Sequence, residues 1–203
     1  MIEQAVGDVV RLHYGCEMHF TPENIQDLLA HPAKYCINHH GYLLLEFANA
    51  LVPKTASAIL EAMVRSGIRP IVAHPERNPV LQRTAPELRS WVEHGCLLQV
   101  TASSFFGRFG QRAEAAAHDL MSRGLVHLLA SDAHDCIRRP PQLDETMQYV
   151  EKEFGAEAAL RVLVENPKAV IEGLPIRETG SPVSKRRWFN GIWGRPTRFG
   201  APA

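Results

Sequence analysis

The chain has 203 residues, which suffices for one domain with a real core, and 45% of them are hydrophobic, as in ordinary globular proteins. No apolar run approaches the roughly 20 residues of a membrane-spanning helix, and the first residues lack the basic and apolar segments of a signal peptide. The formal net charge is zero and the residues before Ile176 are net acidic, which argues against a nucleic-acid-binding protein.

Apolar runs alternate with helical patterns along the chain. Strands are predicted at Val9–Cys16, Tyr42–Phe47, Pro70–Ala73, Cys96–Val100 and Leu125–Ala130. Helices are predicted at Thr21–His31, Thr55–Ser66, Pro86–His94, Arg112–Ser122 and Val150–Leu163. Because strand and helix alternate, the pattern predicts an α/β fold with a parallel sheet and crossover helices.

Four of the five predicted strands run into a residue that can bind a metal. These residues are Glu17, Glu46, His74 and the pair Asp132 and His134. Each has an ordinary explanation by itself, such as a solvated acid or, for Asp132, the cap of a turn. The carboxyl ends of parallel strands meet on one face, however, and three carboxylates with two imidazoles would repel each other unless cations lie among them. The pattern therefore favours a divalent metal site.

Longer sequence blocks extend this pattern in a fixed order. They are Gly15-Cys16-Glu17, Leu44–Phe47, Ala73–Arg77, Gln99–Ser103, Gly107–Gly110 and Ser131–His134 followed by Arg139-Pro140. In these blocks the chain resembles the bacterial manganese-dependent tyrosine-protein phosphatases of capsule and exopolysaccharide loci, within the polymerase-and-histidinol-phosphatase superfamily. The resemblance covers roughly residues 15–176.

The resemblance implies a distorted seven-stranded (β/α) barrel of the TIM type around three metal ions, usually Mn²⁺, with other divalent cations as alternatives. The family's metal ligands match Glu17, Glu46, His74, Asp132 and His134. Its two phosphate-binding arginines match Arg77 and Arg139. The resemblance also gives Glu46 the role of a catalytic carboxylate that bridges two metals. A thiol-nucleophile phosphatase is disfavoured, because Cys136 lies too close to Arg138 and Arg139 for C-x5-R spacing.

The implied substrate is phosphotyrosine on a protein, typically the tail of a tyrosine kinase that governs polysaccharide chain length. Contact with the membrane would then be indirect, through the kinase. Two alternatives stay open: a phosphoesterase for a small metabolite such as histidinol phosphate, and a catalytically silent homologue that acts as a binding protein. The four scattered cysteines favour a reduced, cytoplasmic protein.

The chain departs from the family pattern at its N-terminal side, where the His-x-His motif is absent. His13, His19, His39 and His40 lack that spacing and are expected to be surface or turn residues. We therefore expect a barrel without about its first two strands, with weakened activity and association between copies of the chain.

Two further segments carry expectations of their own. Residues 1–176 are expected to form the phosphatase domain, and residues 177–203 a flexible basic tail that contains tryptophan. The loop Gly107–Gly110, with Phe105, Phe106 and Phe109 nearby, either covers the phenyl ring of the substrate or packs in the core.

Overall fold

A computed structural model describes residues 10–49 and 51–177, and a parallel sheet of five strands lies at its centre. The strands are β1 (Glu17–His19), β2 (Tyr42–Glu46), β3 (Arg69–Ala73), β4 (Leu97–Thr101) and β5 (Leu128–Ala130). They lie side by side in chain order, and every neighbouring pair is parallel. The predicted α/β fold with a parallel sheet is thereby confirmed.

Helices connect the strands. They are α1 (Pro22–Ala30), α2 (Pro32–Tyr35), α3 (Ala56–Arg65), α4 (Ala85–Glu93), α5 (Gln111–Ser122), α6 (Asp144–Phe154), α7 (Ala156–Leu160) and α8 (Asn166–Glu172). Short 3₁₀ turns lie at Ile37–His39, Pro75–Arg77, Leu81–Arg83 and Ala102–Phe106, and a π-helical turn lies at Arg161–Glu165. The start of α1 follows the predicted rule, because Pro22 occupies its first turn and the Thr21 side chain accepts a hydrogen bond from the Asn24 amide.

The main hydrophobic core lies on one face of the sheet. Successive strand residues point to opposite faces, so Leu43 and Leu45 of β2 and Leu98 and Val100 of β4 share this face, and all four are fully buried. Residues of the helices, such as Trp91 of α4, complete the core.

The other face of the sheet carries a smaller apolar cluster towards the N-terminal ends of the strands. Its members are Tyr42, Ile71, Leu97, Leu128, Val170 and Ile176. Glu17 and His19 alternate with the buried Met18 of β1, and in the parallel register they pair with Leu44 and Glu46. Glu17, His19 and Glu46 therefore share the face opposite the main core.

Two predicted elements differ from the structure. Residues 10–16 form no strand: β1 begins at Glu17, so Glu17 opens a strand instead of ending one. The predicted helix Val150–Leu163 is divided between α6, α7 and the π-helical turn, because Gly155 lies between α6 and α7 with φ = +95°.

The predicted tail falls almost wholly outside the described residues. Its first residue, Arg177, is described: the guanidinium lies 2.6 Å from Glu157 Oε1, and its amide donates to Asn166 Oδ1 at 3.1 Å. Arg177 is thus attached to the helices of the folded part.

Candidate metal centre

Three of the predicted ligands, Glu17, Glu46 and His74, lie together on the side of the sheet opposite the main core. His74 Nε2 is 3.0 Å from Glu17 Oε1 and 3.3 Å from Glu46 Oε1. One ligand atom from each of the three residues lies within 4.8 Å of the others. Two carboxylate oxygens and one imidazole nitrogen at this spacing fit the donor set of a divalent transition metal.

The backbone at His74 is fixed in an uncommon conformation. His74 follows β3 and has φ = +34°, in the left-handed region, directly before Pro75. Its amide donates to the Gln99 carbonyl of β4 at 2.8 Å, and its carbonyl accepts from the Arg77 amide at 2.9 Å. Such backbone strain persists where the surroundings determine it, and it concentrates at functional sites.

Electrostatics couple the three residues. The hydrogen bond from His74 lowers the pKa of Glu17, although partial burial opposes this shift. Burial tends to lower the pKa of His74, but the hydrogen bond to Glu17 and the charges of Glu17 and Glu46 together raise that pKa above its usual value. The cluster therefore favours a positive charge between its two carboxylates.

Two of the predicted ligands, Asp132 and His134, lie outside this cluster. Asp132 follows β5 with φ = +50°, and its Oδ2 accepts from Arg77 Nη1 at 2.5 Å and also from Arg139 Nη2. His134 is 57% exposed, and its Nδ1 lies 2.9 Å from the Asp132 carbonyl oxygen and 3.7 Å from Asp132 Oδ1.

The two predicted phosphate-binding residues, Arg77 and Arg139, thus meet at one carboxylate oxygen. The ring of Phe109 packs against both, with its centroid 4.3 Å from Arg77 Cζ and 5.7 Å from Arg139 Cζ. Arg77 lies in the turn directly after His74, and its amide donates to the His74 carbonyl, so this arginine pair is adjacent to the carboxylate–histidine cluster of Glu17, Glu46 and His74.

The phenylalanines at the predicted aromatic loop have two different surroundings. Phe105 is buried and contacts Tyr149 and Phe154, and Phe106 also packs against Tyr149. Phe109 lies instead on the guanidinium groups of the arginine pair.

A buried acid, Glu76, supports the turn between His74 and Arg77. Its Oε1 accepts hydrogen bonds from the Thr101 amide at 3.1 Å and from Ser104 Oγ at 2.7 Å. Burial raises the pKa of Glu76. These bonds attach the turn to the end of β4, a role that sequence reasoning did not assign.

His19 was expected at the surface or in a turn, and its side chain is indeed 66% exposed, but sequence reasoning did not connect it with Glu46. His19 lies in β1, and its Nδ1 is 3.1 Å from Glu46 Oε2. The alternation Glu17-x-His19 within a strand would have indicated that both side chains share a face.

A solvent-open cleft with a volume of about 100 Å³ is lined in part by Arg139. Residues of three segments line it, among them Ser103, Arg138 and Glu145.

Within the described part of the chain, no helix is long and apolar enough to cross a membrane.

Comparison with known proteins gives consistent matches. The family model for capsular polysaccharide synthesis proteins CpsB/CapC matches residues 2–172. Tyrosine-protein phosphatase YwqE of Bacillus subtilis (strain 168) is 34% identical over 176 residues, which are 86% of this chain and 68% of YwqE. Tyrosine-protein phosphatase CpsB of Streptococcus pneumoniae is 28% identical over 175 residues, 84% of this chain and 72% of CpsB.

A solved structure gives the same result at the level of the fold. It belongs to a study of YwqE from Bacillus subtilis and CpsB from Streptococcus pneumoniae, described there as unique metal-dependent tyrosine phosphatases. Its TM-score with this chain is 0.79 at 29% sequence identity, over 91% of this chain and 75% of the solved chain.

Proposed function

Because the chain belongs to the CpsB/CapC family of capsular polysaccharide synthesis proteins, we propose that it is a metal-dependent phosphatase that hydrolyses phosphotyrosine on a protein. The observation that carries this proposal is geometric: Arg77 lies in the turn directly after His74 of the carboxylate–histidine cluster, and its side chain meets that of Arg139 at Asp132. Hydrolysis of a phosphate ester requires side chains that bind a metal ion next to side chains that bind the anionic phosphoryl group.

Glu17, Glu46 and His74 would hold the metal, with Mn²⁺ as the proposed ion, since oxygen-rich sites with imidazole suit it. A bound divalent metal supplies charge neutralisation and an activated water at neutral pH. Asp132 and His134 are proposed as further ligands on the basis of the family resemblance. Glu46 is proposed as the bridging carboxylate, which its position between two imidazoles supports.

Arg77 and Arg139 are proposed to bind the phosphoryl group. Both guanidinium groups already converge on one anionic oxygen, that of Asp132, and forked N–H donors suit the oxygens of phosphate. The Phe109 ring supports both guanidinium groups from one side, which limits their freedom before substrate binds.

The remaining features of the proposed function follow from the fold and the family. Sequential order of five parallel strands is the order within a (β/α) barrel, so residues 1–176 are proposed to be a barrel-type phosphatase domain. A tyrosine kinase of a polysaccharide locus is the proposed partner. Four free cysteines support a cytoplasmic location.

A substrate panel tests the proposed function. With Mn²⁺ present, we expect phosphate release from a phosphotyrosine peptide to exceed release from a phosphoserine peptide and from histidinol phosphate. Faster release from histidinol phosphate would assign the chain to metabolite chemistry instead. A chain that binds Mn²⁺ but hydrolyses none of the three would be a binding protein.

A further inference from the structure

His19 lies at the edge of the carboxylate–histidine cluster with a fixed backbone. The Phe20 amide donates to the Glu46 carbonyl at 2.8 Å, which continues the pairing of β1 with β2 beyond His19. The His19 carbonyl accepts from the Thr21 amide at 2.9 Å and from Asn24 Nδ2 at 3.0 Å. The backbone that carries the imidazole is thus held by a strand on one side and by the start of α1 on the other.

The side chains of His19 and His74 contact different oxygens of the Glu46 carboxylate. His19 Nδ1 lies 3.1 Å from Glu46 Oε2, and His74 Nε2 lies 3.3 Å from Glu46 Oε1. Each oxygen of Glu46 therefore has its own imidazole partner. The Glu46 side chain is 23% exposed and that of His19 is 66% exposed, so solvent reaches this side of the cluster.

This arrangement contains two sets of ligand atoms that share one carboxylate. The first set consists of Glu17 Oε1, His74 Nε2 and Glu46 Oε1, and the second of Glu46 Oε2 and His19 Nδ1. A carboxylate can bridge two divalent cations through its two oxygens, and imidazole is a common ligand for such cations. Solvent exposure leaves room for water to complete the second set.

We propose that His19 is a metal ligand, which together with Glu46 Oε2 forms a second cation position beside the one held by Glu17 and His74. The inference rests on the proposed metal-dependent function and assigns a ligand within it. His19 lies in a Glu-x-His sequence on one strand face, so the short strand β1 supplies a ligand to each of the two positions.

Titration with Mn²⁺ alone, followed by calorimetry and electron paramagnetic resonance, tests this ligand. We expect the full chain to bind an additional ion whose spin couples to that of its neighbour. His19→Gln should lose the coupled signal. It should also weaken the affinity for the second Mn²⁺ ion by about 10-fold to 100-fold, the loss typical of substitutions around a metal site. Circular dichroism checks that the variant is folded, and His19→Ala gives a second measurement.

His39→Gln is the matched control. His39 is also exposed, but it stacks on Tyr14, and its Nδ1 lies 2.8 Å from the Ala33 carbonyl oxygen. We expect this variant to bind Mn²⁺ as the parent chain does. Equal stoichiometry, affinity and spin coupling in the parent chain and both His19 variants would overturn the assignment and leave the proposed function standing. Absence of Mn²⁺ binding by the parent chain would instead refute the proposed function.

Discussion

His74 and Asp132 occupy equivalent places in the fold, each just after a strand and each with a positive φ. A non-glycine residue in the left-handed region costs on the order of 1–3 kcal/mol, so both positions are maintained by their surroundings. The turn after His74 is held by Glu76, and Asp132 is held by two guanidinium groups. These two strained residues connect the metal cluster to the arginine pair.

Arg139 offers a test at the scale of one residue. Arg139→Lys keeps the positive charge but removes the forked donors, so we expect turnover of a phosphotyrosine peptide to fall on the order of 100-fold, as on loss of an oriented donor. Binding of Mn²⁺ should stay unchanged. Steady-state kinetics and calorimetry measure the two effects.

The neighbouring Arg138 provides the control for that experiment. Arg138 is exposed and lies next to Arg139 in the same loop. Arg138→Lys should keep the kinetics of the parent chain. If Arg139→Lys also kept them, Arg139 would have no role in binding the phosphoryl group.

The sequence located individual site residues unevenly. Glu46 and His74 follow from apolar runs that end in a ligand, because a strand end is visible in the sequence. The contact of Asp132 with Arg77 joins residues 55 positions apart, and no local pattern encodes it. His19 is exposed, as expected, but its contact with Glu46 was not anticipated, because the search was for His-x-His, whereas its partner on the strand is Glu17.

At the scale of elements, the loop from Asp135 to Arg139 has a central acceptor. Asp135 Oδ1 accepts from the amides of Ile137 at 2.7 Å, Arg138 at 2.5 Å and Arg139 at 3.2 Å. These bonds lower the pKa of Asp135. The Arg139 carbonyl in turn accepts from the His134 amide at 2.9 Å. A single side chain thus closes the loop that presents Arg139.

Substitution of Asp135 tests this loop. Asp135→Ala removes the acceptor, and we expect turnover to fall by up to about 100-fold, the effect of a displaced catalytic group. Asp135→Asn retains an oxygen that can accept the same amides, so it should restore most of the turnover. Equal kinetics for the alanine variant and the parent chain would show that the loop is ordered without Asp135.

A buried histidine before β5 makes stability depend on pH. His127 is 4% exposed, and its Nδ1 accepts from the Leu98 amide at 3.2 Å. Burial, assisted by the charge of Arg69, lowers the pKa of His127 to about 4. The unfolded chain has the usual pKa of about 6.5 and so binds more protons below that pH. Stability is therefore lost as pH falls from about 6.5 to 4, by about 3 kcal/mol at most.

Urea unfolding of the parent chain and of His127→Asn measures this contribution. We expect the stability difference between them to shrink as pH is lowered from 8 to 4.5, because the variant has no proton to take up at this position. His94→Gln, at an exposed position after α4, should follow the parent chain at every pH. A stability difference between the parent chain and His127→Asn that is constant with pH would show that protonation of His127 does not cause the pH dependence.

The elements themselves were largely predictable. Alternating patterns located β2 to β5 and the helices between them, since each of these four strands is a short, mostly buried apolar run. The first strand was misplaced because the apolar residues Val9 and Val10 suggested an earlier start, whereas pairing with β2 begins at Glu17. Gly155 divides the last predicted helix, which periodicity alone did not reveal.

At the scale of the whole molecule, the two faces of the sheet have separate tasks. One face is filled by the main core. The other face has a small apolar cluster towards the N-terminal ends of the strands. The carboxylate–histidine cluster lies beyond it, where Glu46 ends β2 and His74 follows β3. The resemblance inferred from the sequence blocks is confirmed by the family match over residues 2–172.

Metal-dependent phosphate release by the whole chain tests the central claim most directly. Release from a phosphotyrosine peptide is measured as Mn²⁺ is titrated and then removed with EDTA, in the parent chain, Glu46→Gln and Glu61→Gln. Glu61 lies on α3, where it pairs with Arg65, and serves as the matched control. We expect release that requires Mn²⁺, is lost in Glu46→Gln and is retained in Glu61→Gln. Release that survives EDTA, or proceeds at the parental rate in Glu46→Gln, would contradict this expectation.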